Sequence, residues 1–168
     1  MIRSDYETAM ENNPEFFGNV TMLYIDTQVN GHPVQAFVDS GAQSTIISKQ
    51  CAEQCNMLYK LDTRFAGMAI GVGQSKILGR VHLADMQLLG CGQTIQCSFT
   101  VLEDNKVDLL FGLDNLKRHQ CCIDLVENRL HFNRGEFSVA FMSEGEIKKN
   151  AFEAEKELSL ERQRSHNS

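Results

Sequence analysis

The chain has 168 residues, enough for one folded domain of the usual ~100–200 residues plus a tail, and too few for two full catalytic lobes. Hydrophobic residues make up 42% and charged residues 23%, as in soluble globular proteins, which argues against a disordered chain or a membrane protein. The formal charge of −6 and the lack of a long basic cluster argue against nucleic acid as a direct partner.

The signals for targeting and redox state point to the cell interior. No apolar run approaches the ~20 residues that span a bilayer, and the first residues lack the apolar core of a signal peptide. We therefore expect a cytoplasmic protein, with the nucleus as a second compartment, and no membrane partner. In that setting the six cysteines predict reduced, mostly buried thiols. Cys51 and Cys55 have a helical ligand spacing, but no second pair nearby completes a zinc site, so we expect neither a metal nor another cofactor.

The first half of the chain reads as strands joined by tight turns. It opens with a polar arm, residues 1–19, in which one short helix is predicted. A strand pattern then runs from Thr21 to Val29, Asn30-Gly31 supplies a hairpin turn, and a second strand covers Val34 to Val38. This second strand leads directly into Asp39-Ser40-Gly41-Ala42. A carboxylate is therefore predicted where an apolar strand breaks into a glycine turn.

The middle of the chain combines a short helix with a glycine-rich hairpin. Ser48 is a predicted N-cap for a helix of about two turns. Four glycines between Asp62 and Gly79 predict a flexible hairpin, because a phosphate-binding loop would need a following helix with a Lys-Ser/Thr pair or a third glycine in register. Two long strands, Ile77 to Leu89 and Thr94 to Leu102, are predicted next.

The remaining strands repeat the earlier pattern. Val107 to Phe111 is an apolar run that ends at Gly112 and precedes a helix in which Asp114 is a cap or first-turn acid, much as strand, glycine turn and helix follow one another around Asp39. A last hairpin is predicted between Cys122 and Phe132. The weak repeat predicts a barrel with pseudo-twofold symmetry.

These elements predict one all-β domain, with one or two short helices, over residues 20–142. From residue 143 to 168 the composition shifts to Glu, Lys, Arg, Ser and Asn. We expect this charged segment to be a solvated helix or a linker, because it carries little apolar area to offset the entropy cost of ordering.

Asp39 is the residue whose setting points most clearly to chemistry. An isolated Asp-Ser-Gly is most often a turn whose aspartate binds neighbouring amides. Here the carboxylate directly follows an apolar strand and is predicted to lie close to the core, where desolvation disfavours its charged form. One carboxylate cannot both activate a water and protonate a leaving amine economically, whereas two that share a proton can. The chain has no second Asp-Ser/Thr-Gly, so the second carboxylate is predicted to be Asp39 of another copy.

Three separated motifs resemble one family. They are Val38 to Gln43 (VDSGAQ), Gly79 to Ala84 (GRVHLA) and Leu113 to Cys121 (LDNLKRHQC). Together with the glycine hairpin, they resemble the retropepsin-like aspartic protease domain of the DNA-damage-inducible proteins, a family of ubiquitin-binding shuttles. The resemblance covers about residues 14–146. It implies a retropepsin-like acid-protease barrel that forms a homodimer.

The resemblance also implies a role for each matching position. Asp39 would be the catalytic carboxylate, Ser40 would hydrogen-bond across the dimer axis, and Gly41 would contact the backbone of the bound peptide. Substrate contacts would come from the active-site turn, the flap and the wall beside them, at Ala42, Met68, Ile70, Gly71, Val72, Gly73 and Phe111.

The function that we expect is therefore a homodimeric aspartic endopeptidase in which two Asp39 carboxylates activate a water. The resemblance implies polypeptide substrates within ubiquitylated proteins, and a link to the proteasome through ubiquitin-like and ubiquitin-associated domains that these 168 residues do not contain. One alternative is a dimerisation and peptide-binding scaffold without catalysis, because catalytic residues alone do not guarantee a competent site. Another is a redox or metal sensor that uses Cys51, Cys121 and Cys122.

Overall fold

A computed structural model describes residues 2–12, 20–68 and 75–166. The strands within these residues are β1 Tyr24–Val29, β2 His32–Val38, β3 Ile46–Ser48, β4 Gly67–Met68, β5 Lys76–Leu88, β6 Thr94–Leu102, β7 Leu109–Phe111, β8 Cys122–Asp124, β9 Arg129–Phe132 and β10 Phe137–Ala140. The α-helices are α1 Ile2–Asn12, α2 Lys49–Gln54, α3 Leu113–Arg118 and α4 Glu144–His166.

Six strands form a closed barrel. Their order is β1-β2-β7-β3-β6-β5, and β5 pairs back onto β1, so that the sheet has no open edge at this point. Alternate residues of each strand face inward, as the twofold period of a β-strand requires. The barrel is filled by side chains such as Ile25, Ala36, Ile47, Val101 and Leu109, all of which are fully buried. The predicted all-β barrel is confirmed.

The two strands of the predicted repeat lie side by side. β2 and β7 pair in parallel, with Ala36 opposite Leu109 and Val38 opposite Phe111. β3 pairs with the other side of β7 in the antiparallel direction. Because β2 and β7 run in the same direction, the turn after Val38 and the glycine after Phe111 emerge at the same end of the barrel.

A second, three-stranded sheet has the order β10-β9-β8. The predicted hairpin corresponds to β8 and β9, whereas β10 was not predicted from the sequence. β10 has four residues and follows a polar turn in which Asn133 and Arg134 adopt left-handed backbone angles. Its first residue stacks on the end of β9, with the rings of Phe137 and Phe132 separated by 5.6 Å between centroids. This contact and the pairing with β9 define a strand that is too short to show a pattern of its own.

Helices α1 and α4 lie toward the two ends of the chain, and α2 and α3 lie between strands. Ser48 accepts a hydrogen bond from the Cys51 amide and caps α2, as predicted. The charged segment after residue 143 contains the long helix α4, whose first turn has reciprocal bonds between Ser143 and Glu146. Of the N-terminal arm, α1 is described and residues 13–19 are not. Among the described residues, none of the helices is long and apolar enough to cross a membrane.

Candidate active site

The turn that carries Asp39 is tightly folded at the end of β2. The Asp39 amide donates to the Phe111 carbonyl on β7 at 3.0 Å. The Gly41 amide donates to Asp39 Oδ1 at 2.9 Å, and the Ala42 amide donates to the Asp39 carbonyl at 3.3 Å. Asp39 is half-buried, while Ser40 and Gly41 are exposed. One carboxylate oxygen is therefore held by the backbone of its own turn at the surface of the chain.

The same turn caps the first amides of α3. Gly112, which precedes this helix, has no side chain with which to cap it. Instead, the Leu113 amide donates to the Ala42 carbonyl at 2.7 Å and the Asp114 amide donates to the Gln43 carbonyl at 3.1 Å. Helix N-terminal amides lack partners within the helix, so these carbonyls satisfy donors that would otherwise be unpaired. The carboxylate turn and the start of α3 are consequently one hydrogen-bonded unit.

Gly112 is required by this close packing. A Cβ at this position would lie 2.5 Å from the Ser44 carbonyl oxygen and 3.0 Å from that of Ala42. Real Cβ atoms do not approach backbone oxygens so closely. The need for a glycine after β7 thus has a steric cause, since the backbone angles of Gly112 are ordinary extended ones.

Two apolar side chains share the outer face of the barrel with Asp39. Phe37 lies two residues before Asp39 on β2, and Leu110 lies opposite Phe37 on β7. Both are half-buried. The ring of Tyr24 on β1 lies 5.3 Å from that of Phe37. The period of two along the strand was the signal that could have identified Phe37.

Phe111, by contrast, does not line this face. Its side chain is fully buried, and its ring packs edge-on against Phe132 with 6.4 Å between centroids. Leu110 takes the outward position because neighbouring residues of a strand face opposite sides. The expectation that Phe111 contacts substrate is therefore corrected: in this chain it belongs to the core.

Only the base of the predicted flap is described. Gly67 and Met68 pair with Ile77 and Lys76 of β5 in the antiparallel direction, as expected for a hairpin. Ile70, Gly71, Val72 and Gly73 lie outside the described residues.

A polar cluster lies beside the base of this hairpin. The backbone of Asp62 makes two hydrogen bonds with that of Arg80 on β5, at 2.8 and 3.1 Å. Its carboxylate accepts bonds from Arg64 at 2.7 and 2.9 Å and lies 2.9 Å from Nε2 of His82. The bonds from Arg64, followed by that from His82, hold the pKa of Asp62 well below its usual range. Asp62 thereby anchors the loop before β4 to β5.

The surface beside Ser40 contains a cavity of about 410 Å³. Its lining includes the side chains of Leu113, Leu116, Cys121 and Ile123. All six cysteines are free thiols in the structure, and burial raises the pKa of Cys121 to about 12. Among the described residues there is no group of three or more His, Cys, Asp or Glu that could hold a metal ion.

Comparisons with known proteins agree with this geometry. The aspartyl protease family model matches residues 14–124 of the chain. DNA damage-inducible protein 1 of Cryptococcus neoformans var. neoformans serotype D is 60% identical over 146 residues, which are 87% of this chain and 33% of that protein. Human protein DDI1 homolog 1 is 53% identical over 87% of this chain and 36% of its own length. The chain thus spans about a third of the length of these relatives.

A solved structure extends the likeness to the fold. The retroviral protease-like domain of Ddi1 from Leishmania major matches with a TM-score of 0.68 and 44% sequence identity, over 75% of this chain and 98% of that domain. The chain belongs to the aspartyl protease family and is similar to the retroviral protease-like domain of the Ddi1 proteins.

Proposed function

We propose that two copies of this chain form an aspartic endopeptidase. The observation that carries the proposal is the Asp-Ser-Gly turn at the end of β2, in which the Gly41 amide holds one oxygen of Asp39 at the surface of the domain. A single such turn supplies one carboxylate, and acid-base hydrolysis of a peptide needs a base and an acid at the same bond. A twofold axis beside Ser40 would supply both.

In the proposed reaction the two Asp39 carboxylates share one proton. The ionised one takes a proton from water, and the oxygen of that water attacks the peptide carbonyl carbon directly. The other carboxyl group donates its proton to the carbonyl oxygen, which gives a tetrahedral gem-diol. The carboxyl group that took the proton from water then gives it to the nitrogen, a gem-diol hydroxyl returns a proton to the other carboxylate, and the C–N bond breaks. One water is consumed, and one carboxyl and one amino terminus are formed. No covalent intermediate with the enzyme is involved.

We place the dimer contact on β8 and on the cavity beside Ser40. β8 is an edge of the three-stranded sheet, so its outer backbone groups are available for pairing. Leu125 and Val126, directly after it, are 69% and 93% exposed. Antiparallel pairing of two β8 edges would be symmetric, as a twofold contact requires, and would bring Leu125 of each copy toward the leucine and isoleucine residues that line part of the cavity of the other. Buried leucine side chains contribute roughly 1.5–3 kcal/mol each.

Leu125→Glu tests this contact, because a charge in an apolar interface is costly to bury. We expect the variant to sediment as a monomer and to lose peptidase activity. Leu160→Glu, the same change at an exposed position of α4, is the control and should leave the dimer intact. A dimer of Leu125→Glu as tight as that of the wild type would refute the placement.

The substrate is proposed to be an extended peptide with a large apolar side chain next to the cleaved bond. Phe37 and Leu110 form a half-exposed apolar surface on the same barrel face as Asp39. An extended peptide held by the flap backbone would place alternate side chains on this surface. Peptides with leucine or phenylalanine at this position should be cleaved at least about tenfold faster, in kcat/KM, than peptides with aspartate there. The likeness to the DNA damage-inducible proteins supports ubiquitylated proteins of the proteasome pathway as the natural substrates.

The decisive experiment compares the wild type with Asp39→Asn on a diverse peptide library between about pH 4 and pH 7. We expect cleavage by the wild type and a loss of about 100- to 10,000-fold in the variant, which keeps the size of the side chain and loses the base. Equal activity of the two proteins would refute the proposal. A wild-type dimer that binds peptides and cleaves none would instead identify the domain as a scaffold.

A further inference from the structure

Thr45 lies at the end of the active-site turn and is completely buried. Its hydroxyl oxygen lies 2.6 Å from Asp114 Oδ1, 2.7 Å from Asn115 Nδ2 and 3.0 Å from the Gly112 amide. Its own amide donates to Asp114 Oδ2 at 3.1 Å. Each of these partners lies 67 to 70 residues away in the chain.

The hydrogen-bonding capacity of this hydroxyl is fully used. A threonine hydroxyl has one donor and two acceptor positions. The amide groups of Gly112 and Asn115 can only donate to it, so the hydroxyl proton must point to the carboxylate of Asp114. Threonine at this position therefore has one orientation, and the Asp114 carboxylate receives two bonds from the same residue, through the hydroxyl and the amide.

The network extends from the turn into the barrel. Asn115 is 1% exposed, and its side-chain amide also donates to the Ser98 carbonyl on β6 at 3.0 Å. Thr45 thus connects the end of the Asp39 turn, the start of α3 and a barrel strand. The other contacts of the turn with α3 are the backbone bonds from Leu113 to Ala42 and from Asp114 to Gln43, to which Thr45 adds the side-chain bonds.

We propose that Thr45 and Asp114 are positioning residues for the active site. Together with the backbone bonds, they fix the distance between the Asp39 turn and α3, and hence the separation of the two carboxylates across the dimer axis. This inference rests on the proposed function. Two carboxylates can share a proton only within hydrogen-bonding distance, so a displacement of about 1 Å is expected to cost roughly 100-fold in rate. Peptide binding on the flap and the outer barrel face would change little.

The test uses three variants in which a buried threonine is replaced. Thr45→Val keeps the shape and removes the hydroxyl, while Thr45→Ser keeps the hydroxyl. Thr27→Val is the matched control, because Thr27 is also fully buried and its hydroxyl donates to the Val34 carbonyl at 2.7 Å, away from the turn. Peptidase kcat and KM are measured for each, together with dimer mass and the NMR amide signal of Gly41, which reports the bond to Asp39.

For Thr45→Val we expect kcat to fall roughly 10- to 100-fold with KM within about twofold of the wild type, and the Gly41 signal to shift. Thr45→Ser should restore most of kcat and the original signal. Thr27→Val should lose stability and keep kcat. A kcat for Thr45→Val equal to that of the wild type, or an equal loss in Thr45→Ser, would overturn the inference.

Two further arms keep the result interpretable. If Thr45→Val does not fold, Asp114→Asn replaces it. This variant retains the Oδ1 acceptor for the Thr45 hydroxyl and puts an amide donor in place of Oδ2, which accepts from the Thr45 amide. An unchanged kcat in Asp114→Asn would overturn the inference. If the wild type itself cleaves no more than Asp39→Asn, the proposed function fails, and the Gly41 signal alone decides the positioning role. An identical Gly41 signal in Thr45→Val and the wild type would then overturn it.

Discussion

Replacing Gly112 by alanine should separate the Asp39 turn from α3. The added Cβ would lie 2.5 Å from the Ser44 carbonyl oxygen, whereas ordinary van der Waals contacts begin at 3.4 Å, so the two segments must part by almost 1 Å. The bond from the Leu113 amide to the Ala42 carbonyl, now 2.7 Å, would then be stretched to the limit of a hydrogen bond. The neighbouring bond from Asp114 to Gln43 would lengthen as well.

The free energy of unfolding is expected to fall by about 2–4 kcal/mol. Two weakened backbone hydrogen bonds account for about 1–3 kcal/mol, at roughly 0.5–1.5 kcal/mol each. Overpacking of a close backbone contact adds a cost of the order of 1–3 kcal/mol if the segments separate only in part. These terms overlap, because movement that relieves the clash is the same movement that stretches the bonds. The range given is therefore smaller than their full sum.

The loss can be measured by urea unfolding, followed by circular dichroism at one protein concentration so that dimerisation does not alter the midpoint. Gly145→Ala is the control, because a Cβ there meets nothing within 4 Å and alanine is the better helix former in α4. The control should be as stable as the wild type or slightly more stable. A Gly112→Ala protein within about 0.5 kcal/mol of the wild type would refute the steric reasoning.

Three further predictions concern titrating groups. Burial, followed by the charge of Glu146, raises the pKa of Asp26. This carboxyl group therefore favours folding at low pH, and the effect is lost as the pH rises through its raised pKa. In Glu146→Gln, carboxyl NMR should show that the Asp26 pKa falls but stays above its ordinary value. The pKa of Asp62 is held low, so its bonds stabilise the fold at pH values above the ordinary aspartate pKa of ~3.9, and this stabilisation is lost as the pH falls through the lowered pKa. Arg64→Gln should raise the Asp62 pKa, and an unchanged titration would contradict the assignment. Burial raises the pKa of Cys97 to about 12, so iodoacetamide at about pH 8 should modify this thiol only after unfolding, as mass spectrometry can show.

Features that depend on neighbouring residues were predictable from the sequence. Asn30 and Gly31 both adopt left-handed backbone angles, with φ of 54° and 81°, as the predicted two-residue hairpin requires. Ser48 caps α2 through an amide three residues away. The carboxylate of Asp39 follows its strand directly and is held by the amide two residues on. Each of these interactions lies within one turn, so the residue types in the sequence are sufficient to indicate it.

Features formed by segments far apart in the chain required the tertiary structure. The sequence marked residues 107–111 as apolar, but the pairing of β7 between β2 and β3 decides that Leu110 faces outward and Phe111 fills the core. β10 is defined by its pairing with β9, and the ring of Phe137 stacks on that of Phe132 at the end of β9.

The sequence by itself indicated an all-β domain with one carboxylate turn, because strand alternation and turn chemistry are local properties, and its motifs resembled those of the aspartic proteases. Only the tertiary structure showed how that turn is held. The bonds of Thr45 to Asp114 and Asn115 join residues about 70 positions apart, and such a pairing follows from the path of the chain around the barrel.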